Sequence, residues 1–393
     1  MNKLKVAGLF AGIGGIEYGL HQAGMETTFL CEIDEKAQTV LREHFPGVPL
    51  HDDITTLKKL PKVDVVTAGF PCQNLSQAGL KEGIEGSQSS LVSHVFRLLK
   101  DMDELERPNW IIFENVSYII SLKEGTALNY LTSNLEVLGY HWAYRILDAR
   151  AFGVPQRRLR MIMVASRTGD ARSVLFSSNV ENPPVDDLIS DVNAERTYGF
   201  YWTEGERGIG WTPDGVPTLK IGSKIGIPSP PAIWFPNDDF FGTPDIRDAE
   251  ALQGFPHDWT AITDQCPGAK RGDRWKQVGN AVCANMSRWV GEQIIAATPC
   301  QEVMGKHIRA KKWPKACWGY NGKRYAMEVS TWPVIVETPP FKEFSHYPCK
   351  PLSLKGVTGF YKRAKRSELI NYPDEFIKSL EKYIIKLGGT IDD

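Results

Sequence analysis

From Lys5 to Ala165 the chain repeats one pattern: a short apolar run, a glycine or polar break, then an amphipathic stretch. The apolar runs read as strands over Lys5 to Phe10, Thr27 to Glu32, Asp64 to Ala68, Trp110 to Glu114, His141 to Leu147 and Arg160 to Ala165. Helices fit between them, at Ile16 to Ala23, Glu35 to Phe45, Ser89 to Met102 and Thr126 to Leu138. This alternation is the signature of an α/β chain with a mostly parallel sheet covered on both faces. Ligands of such sheets gather outside the carboxyl ends of the strands.

The rhythm stops after Ser166. Glycine, proline and tryptophan follow in irregular order to about Pro244, as in "TEGERGIGWTPDGVPTLKIGSKIGIPSPPAIWF", which fits a small loop-rich domain. Helical periodicity returns at Ile246 to Leu252 and at Asn280 to Ala297, and the remainder is basic and aromatic with several prolines. The expected organisation is a first domain over 1–166 completed by 268–300, a loop-rich domain over 167–267, and an extension over 301–393.

At 393 residues, 42% hydrophobic and 24% charged, the chain is long enough for two or three domains with a sizeable core. Lys3 and Lys5 precede a short apolar stretch, but glycines break it and no small-residue cleavage site ends it, so it reads as strand and turn. No apolar run is long enough to span a membrane. The seven cysteines are scattered and contain no C-x-x-C pair, which argues against a disulfide framework or a metal site and for a reducing cytosol. Cys266, Cys283, Cys300 and Cys317 are evenly spaced, but their flanks share nothing. The net charge of −1 says little alone, since a nucleic-acid binder needs a basic face and not a basic total. Basic residues do cluster, at Arg157 to Arg160, Lys306 to Lys315 and Lys362 to Arg366, although a single cluster is more often a solvated face.

Three sites along the strand ends carry chemistry. "LFAGIGGIEYGL" (Leu9 to Leu20) is a strand, a glycine turn and a helix start, which lets backbone approach a ligand and aims N–H groups at it. It misses the dinucleotide pattern G-x-G-x-x-G, because Glu17 follows Gly12 and Gly14 where the last glycine belongs. Glu32 ends the second strand, about where an acid grips ribose hydroxyls, and Asp53 sits at the lip of the third. A nucleoside with a short polar tail suits this set, and S-adenosylmethionine leads the candidates. "GFPCQNLSQAG" then places Cys72 where a strand runs out into a loop. A free thiol is a poor nucleophile near neutrality unless positive charge favours the thiolate. "WIIFENV" brings Glu114 to the same edge, as a proton donor or hydrogen-bonding group, and Arg158 and Arg160 alternate onto one face to offset the acid and hold a phosphate or carbonyl oxygen.

These stretches resemble, in order, the motifs of the DNA (cytosine-5)-methyltransferases of bacterial or phage type: "FAGIGG", "GFPCQ", "FENV", "QRRLR", "RDAEALQGFP" and "QVGNAV", over about residues 4–298. The resemblance implies a Rossmann-like S-adenosylmethionine-dependent methyltransferase sheet with a small target-recognition domain over 167–267 and a C-terminal extension. It implies that Cys72 attacks C6 of cytosine, that Glu114 engages N3 and the exocyclic amine, and that Arg160 polarises the base carbonyl with Arg158 in support. The cofactor would contact Phe10, Gly12, Gly14, Glu32, Ile33, Asp53, Pro71 and Asn280; many relatives carry an aromatic residue where Ile33 stands. The target base would be flipped out of the duplex, with the loop Gln73 to Ser90 closing over it on Gly79, Gly83 and Gly86. "GVPTLKIGS" holds the Thr218-Leu219 pair common in recognition domains, and Ser76, Arg207, Thr218, Lys220 and Lys224 are the DNA-binding candidates.

Duplex DNA is the expected partner, with a restriction endonuclease or other defence protein as a possible second one, in a monomeric, cytoplasmic and nucleoid-associated enzyme. A tRNA cytosine-5 methyltransferase shares this fold and cysteine, but the Cys-Phe-Thr stretch usual in that branch is missing after "QRRLR". A silent DNA-binding relative is the other alternative, against which Cys72, Glu114, Arg158 and Arg160 are all in place. The extension interleaves basic residues with Trp313, Trp318, Tyr320, Tyr325, Phe360 and Tyr361, either to clamp the DNA backbone or to fill a small core of its own.

Overall fold

The computed structural model describes residues 3–71, 91–183, 192–203, 208–221, 230–297, 305–309 and 312–391. The chain divides into two compact units: Met1–Phe152 with Leu159–Glu181 and Ala281–Ile335, and Gly153–Arg158 with Asn182–Asn280 and Val336–Asp393. No helix among the described residues is long and apolar enough to cross a membrane.

The first unit is built on strands β1 (Lys5–Leu9), β2 (Glu26–Cys31), β3 (Leu50–His51), β4 (Val65–Ala68), β5 (Trp110–Val116), β6 (His141–Asp148), β7 (Leu159–Ser166), β8 (Lys306–His307), β9 (Ala316–Tyr320) and β10 (Lys323–Ala326). They form one sheet in the order β8-β10-β9-β6-β7-β5-β4-β1-β2-β3. Every residue of β4 and all but the first of β1 are buried, so the centre of the sheet must be covered on both faces. On one face α3 (Leu91–Lys100) and α4 (Thr126–Val137) contribute Val95, Phe96, Leu99, Leu128, Leu131 and Leu135 to the core with Val66, Ile111 and Phe113. On the other, α1 (Gly15–Gln22) and α6 (Ala284–Ala296) lie close, with Ile16, Leu20 and Val290 lining one small cavity beside Ile112 and Ile162 of the sheet. Helix α2 (Glu35–His44) starts at Asp34, whose carboxylate accepts from the N–H groups of Lys36 and Ala37 at 3.1 Å. The hexad Ala171–Phe176 forms the short α5.

The strands and helices arise where the hydrophobic rhythm places them, but two expectations need correction. The sheet is mixed. From β3 to β5 the ladders are parallel, whereas β7 is antiparallel to both β5 and β6, and β9, β10 and β8 continue antiparallel. Direction is set by connection, and the short link from β6 to β7 returns the chain alongside itself. The helix read as Asn280 to Ala297 begins only at Ala284, as α6; Asn280 instead ends a separate helix, Gly272–Asn280, and 281–283 lie between the two.

The extension is not a separate body. Strands β8, β9 and β10 complete the first unit's sheet, with Trp313 buried in its core and donating from Nε1 to the Gly125 carbonyl at 3.0 Å. Residues 336–391 belong to the second unit. There Phe360, Tyr361, Phe376, Leu380 and Tyr383 pack with Phe200, Trp211, Trp234 and Phe241 into a single aromatic core. The backbone N–H groups of His346 and Tyr347 donate to the buried carboxylate of Asp248 at 3.0 and 3.1 Å. The aromatic residues Trp313, Phe360 and Tyr361 are therefore core, not a nucleic-acid stacking surface. Phe376→Ala should destabilise the second unit by about 3–5 kcal/mol, read from chemical denaturation. Removing 301–393 should abolish cooperative unfolding and near-ultraviolet circular dichroism; a cooperative, well-packed truncation would show that the cores stand without the tail.

Candidate active site

The glycine turn after β1 is shaped by left-handed backbone at Phe10 (φ 55°), Gly12 (φ 56°) and Gly14 (φ 83°). Gly14 caps α1, and a Cβ there would lie 2.6 Å from the Phe45 ring, so only glycine fits. A Cβ on Gly12 would meet nothing within 4 Å, which leaves open space above the turn. Glu32, just past β2, holds this turn: Oε2 accepts from the Gly12 N–H at 2.7 Å and Oε1 from the Asp34 N–H at 2.9 Å. Burial raises the Glu32 carboxyl above the ordinary range while these two donations pull it back. Ile33 is 71% exposed beside it, an apolar surface free to cover a flat ring. Asp53 is partly exposed, accepts from the Thr55 N–H at 2.8 Å and is held below its ordinary range by that bond. Pro71 is exposed at the exit from β4.

Glu114 and Arg160 meet as expected. Val116 of β5 pairs with Arg160 of β7, which puts Glu114, two residues back on the same face, diagonally across from the arginine. Arg160 Nε lies 2.9 Å from Glu114 Oε1, with both side chains buried. Asn115 points to the opposite face and donates from Nδ2 to the Phe70 carbonyl at 2.9 Å, so it fastens the segment that leads into Cys72. A Cβ on Gly69 would lie 3.7 Å from Glu114 Oε2. The backbone three residues ahead of Cys72 thus runs beside the acid. Cys72 itself lies outside the described residues, as do Ser76, Arg207 and Lys224 and the loop from Gln73 to Ser90.

In the second unit the remaining motifs form one hydrogen-bonded knot. Gln156 donates from Nε2 to the Leu252 carbonyl at 2.8 Å and accepts from the Leu219 N–H at 3.1 Å. Gln253 donates to the Val278 carbonyl at 2.8 Å, and the Thr218 hydroxyl to the Arg157 carbonyl at 2.7 Å. Arg158, 1% exposed, donates to the carbonyls of Leu219 at 3.0 Å and Gly279 at 3.2 Å. Arg158 and Arg160 therefore do not serve one face together. A guanidinium this buried and committed to two carbonyls braces "TLK" against "QVGN" and is not placed to hold a phosphate. Lys220 Nζ sits 3.7 Å over the Tyr201 ring, and Asn280 is exposed at the end of its helix. The sequence assigned no role to Gln156, Gln253 and Asn115, although each stands inside one of the six motifs, "QRRLR", "RDAEALQGFP" and "FENV".

Residues 4–204 match the family model of the C-5 cytosine-specific DNA methylases. The chain belongs to that family. It is 50% identical over 380 residues to the type II methyltransferase M2.BsuMI of Bacillus subtilis (strain 168), covering 96% of this chain and 98% of that protein. It is 30% identical to the type II methyltransferase M.Bsp6I of Bacillus sp. (strain RFL6) over 74% of this chain and 98% of that one. The fold is shared with solved structures of the Entamoeba histolytica methyltransferase EhMeth, at 16% identity, and the S. pombe Dnmt2 methyltransferase, at 15%. Each has a TM-score of 0.50 and covers 75% of this chain and 99% of that chain. The protein is a DNA (cytosine-5)-methyltransferase with an α/β, Rossmann-like fold.

One acid of this methyltransferase, Glu17, has a different role from a missing glycine. Its side chain is 1% exposed beneath the turn, accepts from the Thr67 hydroxyl at 2.6 Å, and occupies the place where a Cβ on Gly8 would come within 2.4 Å of Oε1. Burial pushes its carboxyl up from 4.5 to about 7, against the Thr67 bond that lowers it. The native state then holds this proton more tightly than the unfolded chain, so the stabilisation is complete below 4.5 and is lost as pH rises through about 7. Glu17→Gln should flatten the fall in stability between about pH 5 and 8, by up to roughly 3 kcal/mol at the upper end. Thermal melts over that range check it; a fall as steep as the parent's would clear Glu17.

Proposed function

We propose that this enzyme methylates C5 of a cytosine flipped out of a specific duplex sequence, through a covalent Cys72 adduct. The observation that carries this reading is the buried Glu114–Arg160 pair, 2.9 Å apart, with the backbone of the "GFPC" segment beside it. C5 of cytosine is a weak nucleophile until addition at C6 turns the ring into an enamine, which divides one hard step into easier ones. The Cys72 thiolate forms the bond to C6. Glu114 engages N3 and the exocyclic amine, and Arg160 fixes the carboxylate and polarises the base carbonyl. Once C5 carries its new methyl group, loss of its proton and expulsion of the thiolate restore the aromatic ring.

The residues around the β1 and β2 ends suit S-adenosylmethionine. Open space over Gly12, the Glu32 carboxylate at the strand end and the bare face of Ile33 match a nucleoside with a short polar tail. Phe10, Gly12, Gly14, Glu32, Ile33, Asp53, Pro71 and Asn280 would hold it, and it supplies an electrophilic methyl group when bound. Glu32 would keep the turn ordered while its remaining lone pairs accept from ribose hydroxyls.

We assign recognition of the DNA sequence to the second unit, through Thr218 in the knot, Lys220 beside it, Arg207 and Lys224, with Ser76 as a DNA contact outside that unit. The type II relatives support a place in restriction–modification, with a cognate endonuclease as partner and a monomer working on the cell's own DNA at the nucleoid. Duplex DNA carrying 5-fluorocytosine at the target should trap a covalent adduct, since fluorine cannot leave as the proton does. An equal yield from Cys72→Ala would remove the cysteine from the reaction. Glu114→Gln should keep DNA and cofactor binding yet slow single-turnover methylation by about 10²–10⁴-fold; parent-like turnover would show that the acid has another role.

A further inference from the structure

Asp248, His257 and His346, all of the second unit, bring one potential ligand atom each to within 4.8 Å of the others. They come from distant stretches. Asp248 lies in the helix Ile246–Leu252, His257 in the turn that follows it, and His346 in the tail, between the helix Phe341–Phe344 and the strand Lys350–Pro351. The carboxylate is the fixed member: Asp248 is fully buried, and the N–H groups of His346 and Tyr347 hold its two oxygens at 3.0 and 3.1 Å. A carboxylate has about four acceptor sites, so two N–H donors leave it with capacity to spare.

His257 supplies an independent sign of a ligand. Its Nε2 is shielded from water, stands 3.5 Å from Asp248 Oδ1, and has no hydrogen-bond partner among the described residues. Buried ring nitrogens are normally satisfied, and an ion between ring and carboxylate would satisfy this one. The 3.5 Å gap is close to the roughly 3.3 Å that separates ligand atoms bound about 2.0–2.1 Å from one tetrahedral ion. The His346 ring stands edge-on to that of His257, centroids 4.9 Å apart, and is exposed, so it can turn toward an ion without disturbing a core. The charge of Arg247, next to Asp248 in the chain, is met by Asp245 at 2.7 Å.

We propose that Asp248, His257 and His346 bind a divalent cation of the zinc class, with water as the fourth ligand. Two imidazoles and one carboxylate suit a borderline ion such as Zn²⁺, whereas Ca²⁺ and Mg²⁺ take oxygen ligands. No cysteine takes part, so the scattered thiols do not argue against it. The ion clips the tail at His346 to the segment 248–257, and by binding only the folded chain it stabilises the second unit. The site is independent of the proposed methylation chemistry.

The test uses the untagged full chain, stripped with a chelator, and Zn²⁺ or Co²⁺ alone as the probe. Competition against a chromophoric chelator should show one equivalent of Zn²⁺ bound, and Zn²⁺ should raise the melting temperature. His346→Ala trims an exposed ring and leaves its backbone N–H on Asp248, so the metal-free fold should stand. Its Zn²⁺ affinity should fall by about 100-fold or more, at least the loss that removing a mere outer-shell partner brings, and the thermal shift should vanish. His257→Ala should behave alike. One equivalent of Co²⁺ should give the visible bands of a four-coordinate site without a thiolate charge-transfer band. Absence of a bound equivalent, parent-like Zn²⁺ affinity in His346→Ala, or a thiolate band would each overturn the site.

Discussion

The candidate cofactor site hangs on one carboxylate. Glu32 accepts from Gly12 and Asp34 at once, and its own carbonyl accepts from Gln38 Nε2 at 2.7 Å, so the turn after β1 and the start of α2 are tied at a single point. A turn with left-handed backbone at three alternate positions, Phe10, Gly12 and Gly14, has little regular structure of its own to hold it. The neighbouring strand supplies the missing constraint. Parallel strands make this possible, because β1 and β2 end side by side and pointing the same way.

Burying charge is the recurrent problem around this edge, and the chain solves it differently for each group. Glu114 takes Arg160 as a partner, 2.9 Å away. Glu17 holds its proton up to about pH 7 instead, since burial outweighs the Thr67 bond. Arg158 keeps its charge and spreads it over two backbone carbonyls, and Arg145, wholly buried, does the same with those of Leu175, Ser178 and Ser330. Sequence patterns cannot separate these outcomes, because a buried arginine that braces and one that binds substrate are written with the same letter.

The tail shows why an extension read from composition alone misleads. Basic residues interleaved with aromatics look like a nucleic-acid surface in one dimension. In three, the 3.6-residue period of Leu354–Arg366 sorts the aromatics inward, into the core of the second unit, and the cations outward. The same segment pairs its strand Lys350–Pro351 with Phe240–Thr243, a partner more than a hundred residues earlier that no local rule connects to it.

By itself the sequence determined the α/β class, the strands that bear the motifs, and the residues at their carboxyl ends, because hydrophobic period and glycine turns are local properties of the chain. It also determined the family, since six short motifs in order specify a chemistry. Tertiary structure decided the rest: the antiparallel half of the sheet, the split of the tail between two units, the pairing of Glu114 with Arg160 and the withdrawal of Arg158 into the "TLK" and "QVGN" knot. Those depend on which distant backbone groups need a partner once they are buried, and that demand exists only after the chain has folded.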